Sequence, residues 1–577
     1  MTANDETVTR GPDGVIDRPG ADPTNAPGKP PLPPLRHEII EHGDFVQEKD
    51  VALQLRDGVT IYLDLYRPRD VTGDLPVLLA WGPYGKHNTK AQLWPGAGIE
   101  DGWMSERTGF EAPDPAYWCA HGYAIANVDP RGLWNSEGEG RHNGPQEAAD
   151  LYDTIEWLGA ADWSNGKVGM LGVSYLAGAQ FIAAAMKPPS LAAISPWECF
   201  TDWYREFAFH GGIPETGFIP RASANMAFSR TRTEDTAANV AENPLLTDYY
   251  RTKEAVLEDI EVPAYVVASW SDHGLHSRGT LEAFARISST EKWLEVHGQK
   301  KWAEFYRPER VERQREFFDH YLRGIGDGPR DWPRVRLEVR DTAEARTHRS
   351  DLPWPVDESR SMRMHADFAN GLLSEEPVAA ASSIDIDSQT GEATVRFTFD
   401  EDTDVVGPMR LRLWLETIDG ADGMPAATDA DVFAVARKFR ADGSEVRWAI
   451  GALFDDGPVA LGWLRASHRA LDESASSELR PVHPHDAEVP LEPGVPTPLD
   501  IELWPSATRF HAGEQLAITV LGHDFLYRDP DMMSPVTRHT DLRNRGAWRL
   551  HSGGERDAHL ALLAMLAGND DEAGQQA

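Results

Sequence analysis

The spacing of hydrophobic residues divides the chain into two regions. Between about residues 41 and 330, short continuous apolar runs alternate with stretches of amphipathic helical period. Continuous apolar runs are typical of strands buried on both faces of a parallel sheet, with helices covering those faces. After Trp332 the period changes to two, as in Val335, Leu337 and Val339, and clusters of turn residues separate the runs. The pattern predicts an α/β domain followed by an all-β sandwich or jelly roll.

The α/β region is predicted to open with a β-hairpin around Asp57-Gly58 and to continue as βαβ units. The predicted strands are Leu75–Trp81, Tyr123–Val128, Val168–Leu171, Leu191–Ile194, Val262–Ser269 and Lys292–Val296. The predicted helices are Glu147–Leu158, Leu176–Met186, Arg278–Ile287 and Val311–Leu322. Alternation of strands and helices indicates a sheet that is covered by helices on both faces.

Three segments depart from this pattern. Residues 199–261 show no strand pattern but contain aromatic residues and short helical pieces such as Ala237–Ala241 and Thr252–Leu257, as expected of a helical cap over a pocket. Residues 1–40, rich in Pro and Gly, are predicted to be a flexible arm, and residues 569–577 a flexible tail. The predicted domains are therefore a catalytic core at 41–198 and 262–330, a cap at 199–261 and a β domain at 331–568.

Charge and cysteine content narrow the possible partners. Lys and Arg number 56 against 93 Asp and Glu, so the net charge is −37. Long-range repulsion from such a surface argues against nucleic acids and anionic membranes as partners. The chain has no apolar run of about 18 residues and begins without the regions of a signal peptide. The chain has only two cysteines, Cys119 and Cys199, which we expect to be buried and reduced in a cytoplasmic protein. The sequence is also compatible with an oligomer.

The segment from Lys167 to Gly178 carries the strongest chemical signal. A short apolar strand leads into Gly172-Val173-Ser174 and then into a helical pattern. Such a strand–turn–helix unit is a nucleophile elbow, in which a tight turn lifts the serine hydroxyl to the carboxyl edge of the sheet. Gly172 supplies the small residue that the turn requires, although Leu176 replaces the usual Gly two positions after the serine. We therefore predict that Ser174 is the nucleophile of an α/β-hydrolase core.

A serine nucleophile requires a histidine base and a carboxylate that orients it, in the chain order Ser, acid, His. Asp272 follows the predicted strand Val262–Ser269, and His297 follows the predicted strand Lys292–Val296. We predict that these residues are the acid and the base. The alternatives are Glu198 and Asp129 for the acid, and His273 and His276, which precede the last strand, for the base.

Hydrolysis through a tetrahedral intermediate also requires donors for its oxyanion. The backbone N–H of Tyr175, directly after the nucleophile, is predicted to be one donor. The second is expected from the loop after the early strand Leu75–Trp81, where Tyr84 could offer its phenol or its backbone amide. The sequence leaves these two possibilities open.

Together these motifs resemble the family of cocaine esterase and the X-prolyl dipeptidyl peptidases. The resemblance covers roughly residues 43–565. The matching motifs are Gly82-Pro83-Tyr84-Gly85, Asp129-Pro130-Arg131-Gly132 with Ser136-Glu137-Gly138, Gly172-Val173-Ser174-Tyr175, Trp270-Ser271-Asp272, His297-Gly298 followed by Lys301-Trp302, Phe317–Gly324, Ile501–Pro505 and His551–Gly554. One departure lies in the elbow, where Ala177 replaces the family's usual Gly three positions after the serine.

The resemblance implies an α/β-hydrolase core with a helical cap insertion and a C-terminal all-β jelly-roll domain. It also implies a Ser-His-Asp triad, a tyrosine hydroxyl in the oxyanion hole that maps onto Tyr84, and no metal or organic cofactor. The expected activity is serine hydrolysis of a small-molecule ester, amide or short peptide. Esterase and dipeptidyl peptidase both remain open, with Glu206 and Glu215 as candidate carboxylates for a peptide amino terminus. The alternative from another functional class is a non-catalytic ligand-binding protein with a degenerate hydrolase core.

Overall fold

The computed structural model describes residues 9–11, 13–25, 32–71, 73–86, 94–526 and 537–568. The first elements are the strands β1 (Thr9–Arg10) and β2 (Ile16–Pro19). The first part of the core contains β3 (Glu38–His42), β4 (Phe45–Gln54), β5 (Thr60–Pro68), β6 (Leu75–Trp81), α1 (Pro115–Ala120), β7 (Ala124–Asp129), α2 (Pro145–Gly159), β8 (Ser164–Val173), α3 (Tyr175–Ala185) and β9 (Leu191–Trp197). The cap contains β10 (Phe209–His210), β11 (Ile213–Pro214), α4 (Phe218–Asn225), β12 (Arg232–Glu234), α5 (Thr236–Glu242) and α6 (Asp248–Arg251). The second part of the core contains β13 (Ala264–Ser269), α7 (Ser277–Arg286), β14 (Lys292–His297), α8 (Lys301–Tyr306), α9 (Pro308–Phe318), β15 (Val335–Arg340) and β16 (Arg346–Arg349).

The core strands form one sheet in the order β3-β4-β5-β7-β6-β8-β9-β13-β14-β15-β16. From β7 to β15 all neighbouring strands are parallel, so their carboxyl ends meet at one edge. The strands β6, β7 and β13 are buried at every residue, as their continuous apolar runs predict. The α/β-hydrolase core and its opening hairpin are therefore confirmed.

The boundary between the core and the β domain at residue 331 stays a prediction, but the first alternating strand after it extends the core sheet. The alternating residues Val335, Leu337 and Val339 lie on β15, which pairs in parallel with β14 and extends the core sheet. Period two is misleading at this point because Glu338 and Arg340, which alternate with the apolar residues, are charged but buried. The same strand touches the β domain, where Arg340 pairs with Thr508.

The prediction of a flexible N-terminal arm is wrong for part of that segment. Strand β2 pairs antiparallel with the cap strand β12. The carboxylate of Asp17, which is 2% exposed, lies 2.5 Å from the Arg141 guanidinium. These pairings satisfy the backbone of a segment whose composition alone indicates disorder. Residues 1–8 and 26–31 of the predicted arm, and the predicted tail at 569–577, lie outside the described residues.

The cap follows β9, as predicted, and packs over the carboxyl edge of the sheet. It is more irregular than the predicted helical cap, because short strands accompany α4, α5 and α6. Within it, the predicted helical piece at 252–257 falls after α6 and before β13, where the structure has no α-helix. Helix α4 and the cap residues Phe200, Trp203 and Phe207 reach the pocket described below.

The C-terminal domain is built from antiparallel strands around its own core, which confirms an α/β core followed by a β domain. Its strands are β17 (Met362–Asp367), β18 (Leu372–Ser374), β19 (Ser382–Asp387), β20 (Glu392–Thr398), β21 (Thr403–Ile418), β22 (Asp431–Phe439), β23 (Glu445–Val446), β24 (Trp448–Ile450), β25 (Phe454–Gly457), β26 (Ala460–Arg465), β27 (Thr497–Phe510), β28 (Gln515–Leu521), β29 (Ala547–Ser552), β30 (His559–Leu562) and β31 (Ala564–Leu566). One group of strands is centred on the long pair β21–β27 and the other on β28, which lies between β20 and β22. A jelly-roll topology stays a prediction.

Both cysteines are free and buried. Burial raises the pKa of each thiol, so that neither is a thiolate near neutral pH. Within the described residues, the structure contains no helix that is both long and apolar enough to cross a membrane.

Candidate active site

Ser174 lies at the turn between β8 and α3, where the predicted elbow is present. Its φ angle is 60°, a conformation that costs a residue with a side chain about 1–3 kcal/mol. The turn is held because the Ser174 N–H donates to the carbonyl oxygens of Trp197 and Glu198 at 3.0 and 2.9 Å. A Cβ atom on Gly172 would lie 2.6 Å from the Cβ of Leu176, so only glycine fits there. The strained turn exposes the serine side chain at the carboxyl edge of the sheet.

The Ser174 side chain is hydrogen-bonded to His276, not to the predicted His297. The distance from Ser174 Oγ to His276 Nε2 is 3.1 Å. On the other side of the ring, Nδ1 lies 2.5 Å from Asp272 Oδ2. A carboxylate at Nδ1 favours the tautomer that carries its proton there, which leaves the Nε2 lone pair facing the serine hydroxyl. The predicted serine and acid are therefore brought together with a different histidine.

His297 occupies its predicted place at the end of β14 but faces another carboxylate. Its Nε2 lies at an ion-pair distance of 3.1 Å from Glu198 Oε1, and its Nδ1 accepts the N–H of Gln299 at 3.2 Å. Glu198 stands between His297 and the nucleophile, since its carbonyl oxygen accepts the Ser174 N–H while its side chain contacts the imidazole. The structure thus corrects the predicted base, and it pairs the rival acid Glu198 with the predicted histidine.

The position of His276 follows from a helical turn that precedes α7. The N–H groups of His276 and Ser277 donate to the Asp272 carbonyl oxygen at 3.1 and 3.2 Å. Residues four apart on such a turn are neighbours, so the turn places the imidazole beside the Asp272 side chain. The i, i+4 spacing of an acid and a histidine was the available signal in the sequence. The other rival, His273, faces the β domain, where its Nε2 lies 3.0 Å from the Pro505 carbonyl oxygen.

The two buried histidines differ in the direction of their pKa shifts. For His276, burial and the nearby Lys301 ammonium lower the pKa below its ordinary value of 6.5, against the opposing effect of Asp272. For His297, burial acts in the same direction, but Glu198 outweighs it and raises the pKa. His276 is therefore neutral at neutral pH, as a general base must be, whereas the pKa of His297 lies above its ordinary value.

The predicted oxyanion residues lie beside the nucleophile. The Tyr84 hydroxyl is hydrogen-bonded to the Ser174 side chain, and burial raises the pKa of this phenol so that it keeps its proton. The Tyr175 side chain is occupied elsewhere, because its hydroxyl donates to the buried Glu147 carboxylate at 2.8 Å. Its backbone N–H is the first of α3, and such groups have no intrahelical acceptor. One phenol and one backbone N–H are thus available near Ser174 Oγ.

A cavity of about 350 Å³ lies over Ser174 and His276, between the core and the cap. Most of its wall is aromatic or aliphatic: Tyr84, Trp94, Phe110, Tyr175, Phe200, Trp203, Phe207, Phe218, Ala222, Met226, Leu275 and Trp302. Its charged wall residues are Glu111, Arg221 and Lys301. A mainly apolar pocket with few polar groups is typical of small-molecule sites.

Glu111 was not singled out from the sequence, and Lys301 belonged to a family-like motif but was assigned no role. Both side chains are almost fully buried. One Glu111 carboxylate oxygen accepts the Trp302 indole N–H at 2.8 Å. Within the part of the chain that the structure describes, the other oxygen has no hydrogen-bond partner. Burial raises the pKa of Glu111 to about 7. Lys301 Nζ lies 3.0 Å from Asp272 Oδ2.

The remaining sequence candidates have structural partners. Glu206 lies 2.7 Å from the Arg278 guanidinium and accepts two backbone N–H groups. Glu215 accepts the N–H groups at the start of α4. Asp129 accepts the Lys86 N–H at 2.7 Å. These carboxylates therefore hold loops and helix ends together, outside the pocket wall.

The fold and this site define a hydrolase with an α/β-hydrolase core, and sequence comparisons agree. Residues 57–255 match the model of the X-Pro dipeptidyl-peptidase (S15 family). Residues 328–561 match that of the X-Pro dipeptidyl-peptidase C-terminal non-catalytic domain. The cocaine esterase of Rhodococcus sp. (strain MB1 Bresler) is 28% identical over 376 residues, which span 55% of this chain and 62% of the esterase. The chain thus spans less than two thirds of the length of that curated relative.

Solved structures extend the similarity to most of the chain. A CocE/NonD family hydrolase from Staphylococcus aureus has 36% sequence identity and a TM-score of 0.85, covering 90% of this chain and 94% of that one. An α-amino acid ester hydrolase has the same fold at 16% identity, with a TM-score of 0.66 over 94% of this chain and 100% of that one. The chain belongs to the cocaine esterase and X-prolyl dipeptidyl peptidase family of serine hydrolases.

The two histidines predict different pH profiles for the wild-type enzyme. A general base acts when deprotonated, so kcat/KM should rise with pH through the pKa of the base in the free enzyme. If His276 is the base, its lowered pKa places this midpoint below 6.5. A midpoint clearly above 6.5, measured with a substrate whose chemical step limits the rate, contradicts this and fits His297.

Proposed function

We propose that the protein is a carboxylic ester hydrolase whose triad is Ser174, His276 and Asp272. The observation that carries the proposal is the continuous chain of contacts from Ser174 Oγ through the His276 ring to Asp272 Oδ2, at 3.1 and 2.5 Å. This chain ends in the cavity next to a phenol and a helix-terminal N–H. Nucleophile, base, orienting carboxylate and oxyanion donors are the parts that acyl transfer to serine requires.

In the acylation step, Ser174 Oγ attacks the carbonyl carbon of the ester while His276 Nε2 takes the hydroxyl proton. The carbonyl oxygen becomes an oxyanion that the Tyr84 hydroxyl and the Tyr175 N–H stabilise. Asp272 accepts from Nδ1–H and stabilises the imidazolium. Collapse of the intermediate breaks the bond to the alcohol, which receives the proton from Nε2, and leaves an acyl-serine.

Deacylation repeats these roles with water as the nucleophile. His276 Nε2 takes a proton from the water that attacks the acyl carbon, and the oxyanion again lies at Tyr84 and Tyr175. The second tetrahedral intermediate releases the carboxylic acid, and the proton returns from Nε2 to Ser174 Oγ. The enzyme is regenerated without any change in oxidation state.

Two features support an ester with a large apolar group over a peptide. The cavity wall is predominantly aromatic, which favours an apolar group of about the size of a phenyl ring or larger. Peptidases that recognise a free amino terminus need an available carboxylate, and the sequence candidates Glu206 and Glu215 are occupied by structural partners. We also propose, as finer assignments, a jelly-roll β domain and a cytoplasmic location.

One observation favours a second candidate, an enzyme that cleaves α-amino esters or dipeptidyl amides. The unpartnered Glu111 carboxylate oxygen lies in the cavity wall and could accept a substrate ammonium group. Matched p-nitrophenyl esters separate the candidates, because 3-phenylpropionate and phenylalanine esters differ only in the amino group. We expect the larger kcat/KM with the neutral ester. A tenfold or greater preference for the phenylalanine ester, together with cleavage of dipeptidyl-proline anilides, supports the second candidate.

The assignment of the base predicts opposite outcomes for two matched variants. His276→Gln should lower kcat by about 10⁴-fold or more, because the serine loses its proton acceptor. In His297→Gln the Glu198 carboxylate loses a buried partner, so the melting temperature should fall while the folded enzyme keeps kcat within about tenfold of wild type. Circular dichroism and the melting temperature establish that each variant is folded, because a fluorophosphonate would not label a variant that lacks the base.

The reverse pattern refutes the assignment. A His276→Gln enzyme with nearly normal kcat, beside an inactive but folded His297→Gln enzyme, restores the base predicted from the sequence. The Ser174→Ala variant serves as the reference for complete loss in both series.

The proposed role of Tyr84 predicts a loss confined to the chemical step. Tyr84→Phe keeps the ring contacts with Phe110 and Tyr175 but removes the donor. Losing one oxyanion donor typically costs about 10²–10³ in kcat, with KM and the melting temperature little changed. Tyr152→Phe, whose ring lies 5.2 Å from the Arg56 guanidinium and outside the cavity wall, is the control. A kcat loss below about fivefold in Tyr84→Phe assigns the second donor to a backbone amide.

A further inference from the structure

We infer that Lys301 is a positioning residue, whose ammonium orients Asp272 and keeps a fixed positive charge beside the His276 base. This inference rests on the proposed triad and adds to it a fourth group. Lys301 is the first residue of α8, at the wall of the cavity. Neither the sequence pattern around Lys301 nor the resemblance to the family assigned this residue a role.

One carboxylate oxygen of Asp272 contacts both the Lys301 ammonium and the His276 imidazole, which becomes a cation when it takes up a proton. Asp272 Oδ2 lies 2.5 Å from His276 Nδ1 and 3.0 Å from Lys301 Nζ. The ammonium is also 3.3 Å from His276 Nδ1. Because Nδ1–H donates to Asp272, this last contact is a close approach of charge and not a second hydrogen bond. Lys301 therefore acts on the base both through Asp272 and directly.

The negative charges around Lys301 explain why this buried lysine stays protonated. Lys301 is 3% exposed, which by itself disfavours its charge, but Asp272, Glu111 and Glu198 together raise its pKa. The charged groups that act on His276 are Lys301, Asp272 and Glu198, and Glu198 is in turn paired with His297. Lys301 is thus a constant positive charge throughout the pH range in which the imidazole titrates.

The positive charge of Lys301 affects both proton transfers of His276, the uptake of the Ser174 proton and its donation to the leaving alcohol. A neighbouring cation lowers the proton affinity of the imidazole, so the base remains neutral at lower pH. The imidazolium formed during attack is correspondingly more acidic and protonates the departing alkoxide more readily. The shared hydrogen bond to Oδ2 also restrains the Asp272 carboxylate in the orientation that fixes the imidazole tautomer.

The test is the pH profile of kcat/KM for Lys301 variants, measured with a neutral p-nitrophenyl ester. Lys301→Gln removes the charge but can still donate to Asp272, and we expect the acid-side midpoint to rise by about one to three pH units. Lys301→Arg keeps the charge and should keep the wild-type midpoint. Lys300→Gln is the matched control, because the adjacent Lys300 is paired with Asp455 at 2.7 Å. Its midpoint should equal that of the wild type.

A purely structural role of Lys301 would lower kcat or the melting temperature of Lys301→Gln without moving the midpoint, and that result overturns the inference. If Lys301→Gln does not fold, Lys301→Arg decides, since a rise of a pH unit or more with the charge retained also overturns it. His276→Gln in the same series keeps the two proposals separate. Retained activity in His276→Gln removes the proposed triad, whereas its inactivity beside an unmoved midpoint in Lys301→Gln removes only the role of Lys301.

Discussion

The site depends on one carboxylate oxygen, Asp272 Oδ2, which is in contact with both the His276 imidazole and the Lys301 ammonium. Asp272 is 2% exposed, and a buried carboxylate without partners would take up a proton. Lys301 and His276 instead hold the pKa of Asp272 well below its usual value, despite its burial. The carboxylate therefore stays charged, and its charge orients the base. The strand β13, the turn before α7 and the start of α8 meet at this atom.

A second histidine–carboxylate pair lies next to the first, and the two have different consequences. Glu198 directly follows β9, and His297 is the last residue of β14. The carboxyl ends of these two strands flank that of β13. Their contact raises the pKa of His297, which suits a buried ion pair better than a base that must be neutral to accept a proton. The Glu198 carbonyl oxygen also holds the Ser174 N–H, so this pair supports the nucleophile elbow. In the proposed mechanism, Glu198 and His297 support the turn that holds the nucleophile, whereas Asp272 and His276 activate its hydroxyl.

The fold, and two of the three residues of the proposed triad, Ser174 and Asp272, were accessible to sequence reasoning because strong local constraints determine them. Strand β6 was predicted with its observed bounds, since a continuous apolar run between polar turns has few alternatives. Ser174 was identified because its turn requires Gly172 and a helix directly after the strand. The proposed base was missed because the histidine was expected after the last strand of the sheet, whereas the helical turn that begins at Asp272 places His276 beside the acid. The ordered N-terminal strand β2 was missed because its partner, β12, lies more than 200 residues away in the chain.

The central claim is that His276, and not His297, exchanges the proton with Ser174. A crystal structure of the wild-type enzyme labelled by a fluorophosphonate tests it most directly, because the tetrahedral phosphorus bound to Ser174 Oγ stands in for the intermediate of acyl transfer. The account predicts that His276 Nε2 lies within hydrogen-bond distance of the serine oxygen or of the position of the leaving group. It also predicts that the Tyr84 hydroxyl donates to the phosphoryl oxygen, with His297 still at Glu198. An adduct in which the His297 imidazole approaches the phosphorus centre and His276 does not would contradict it.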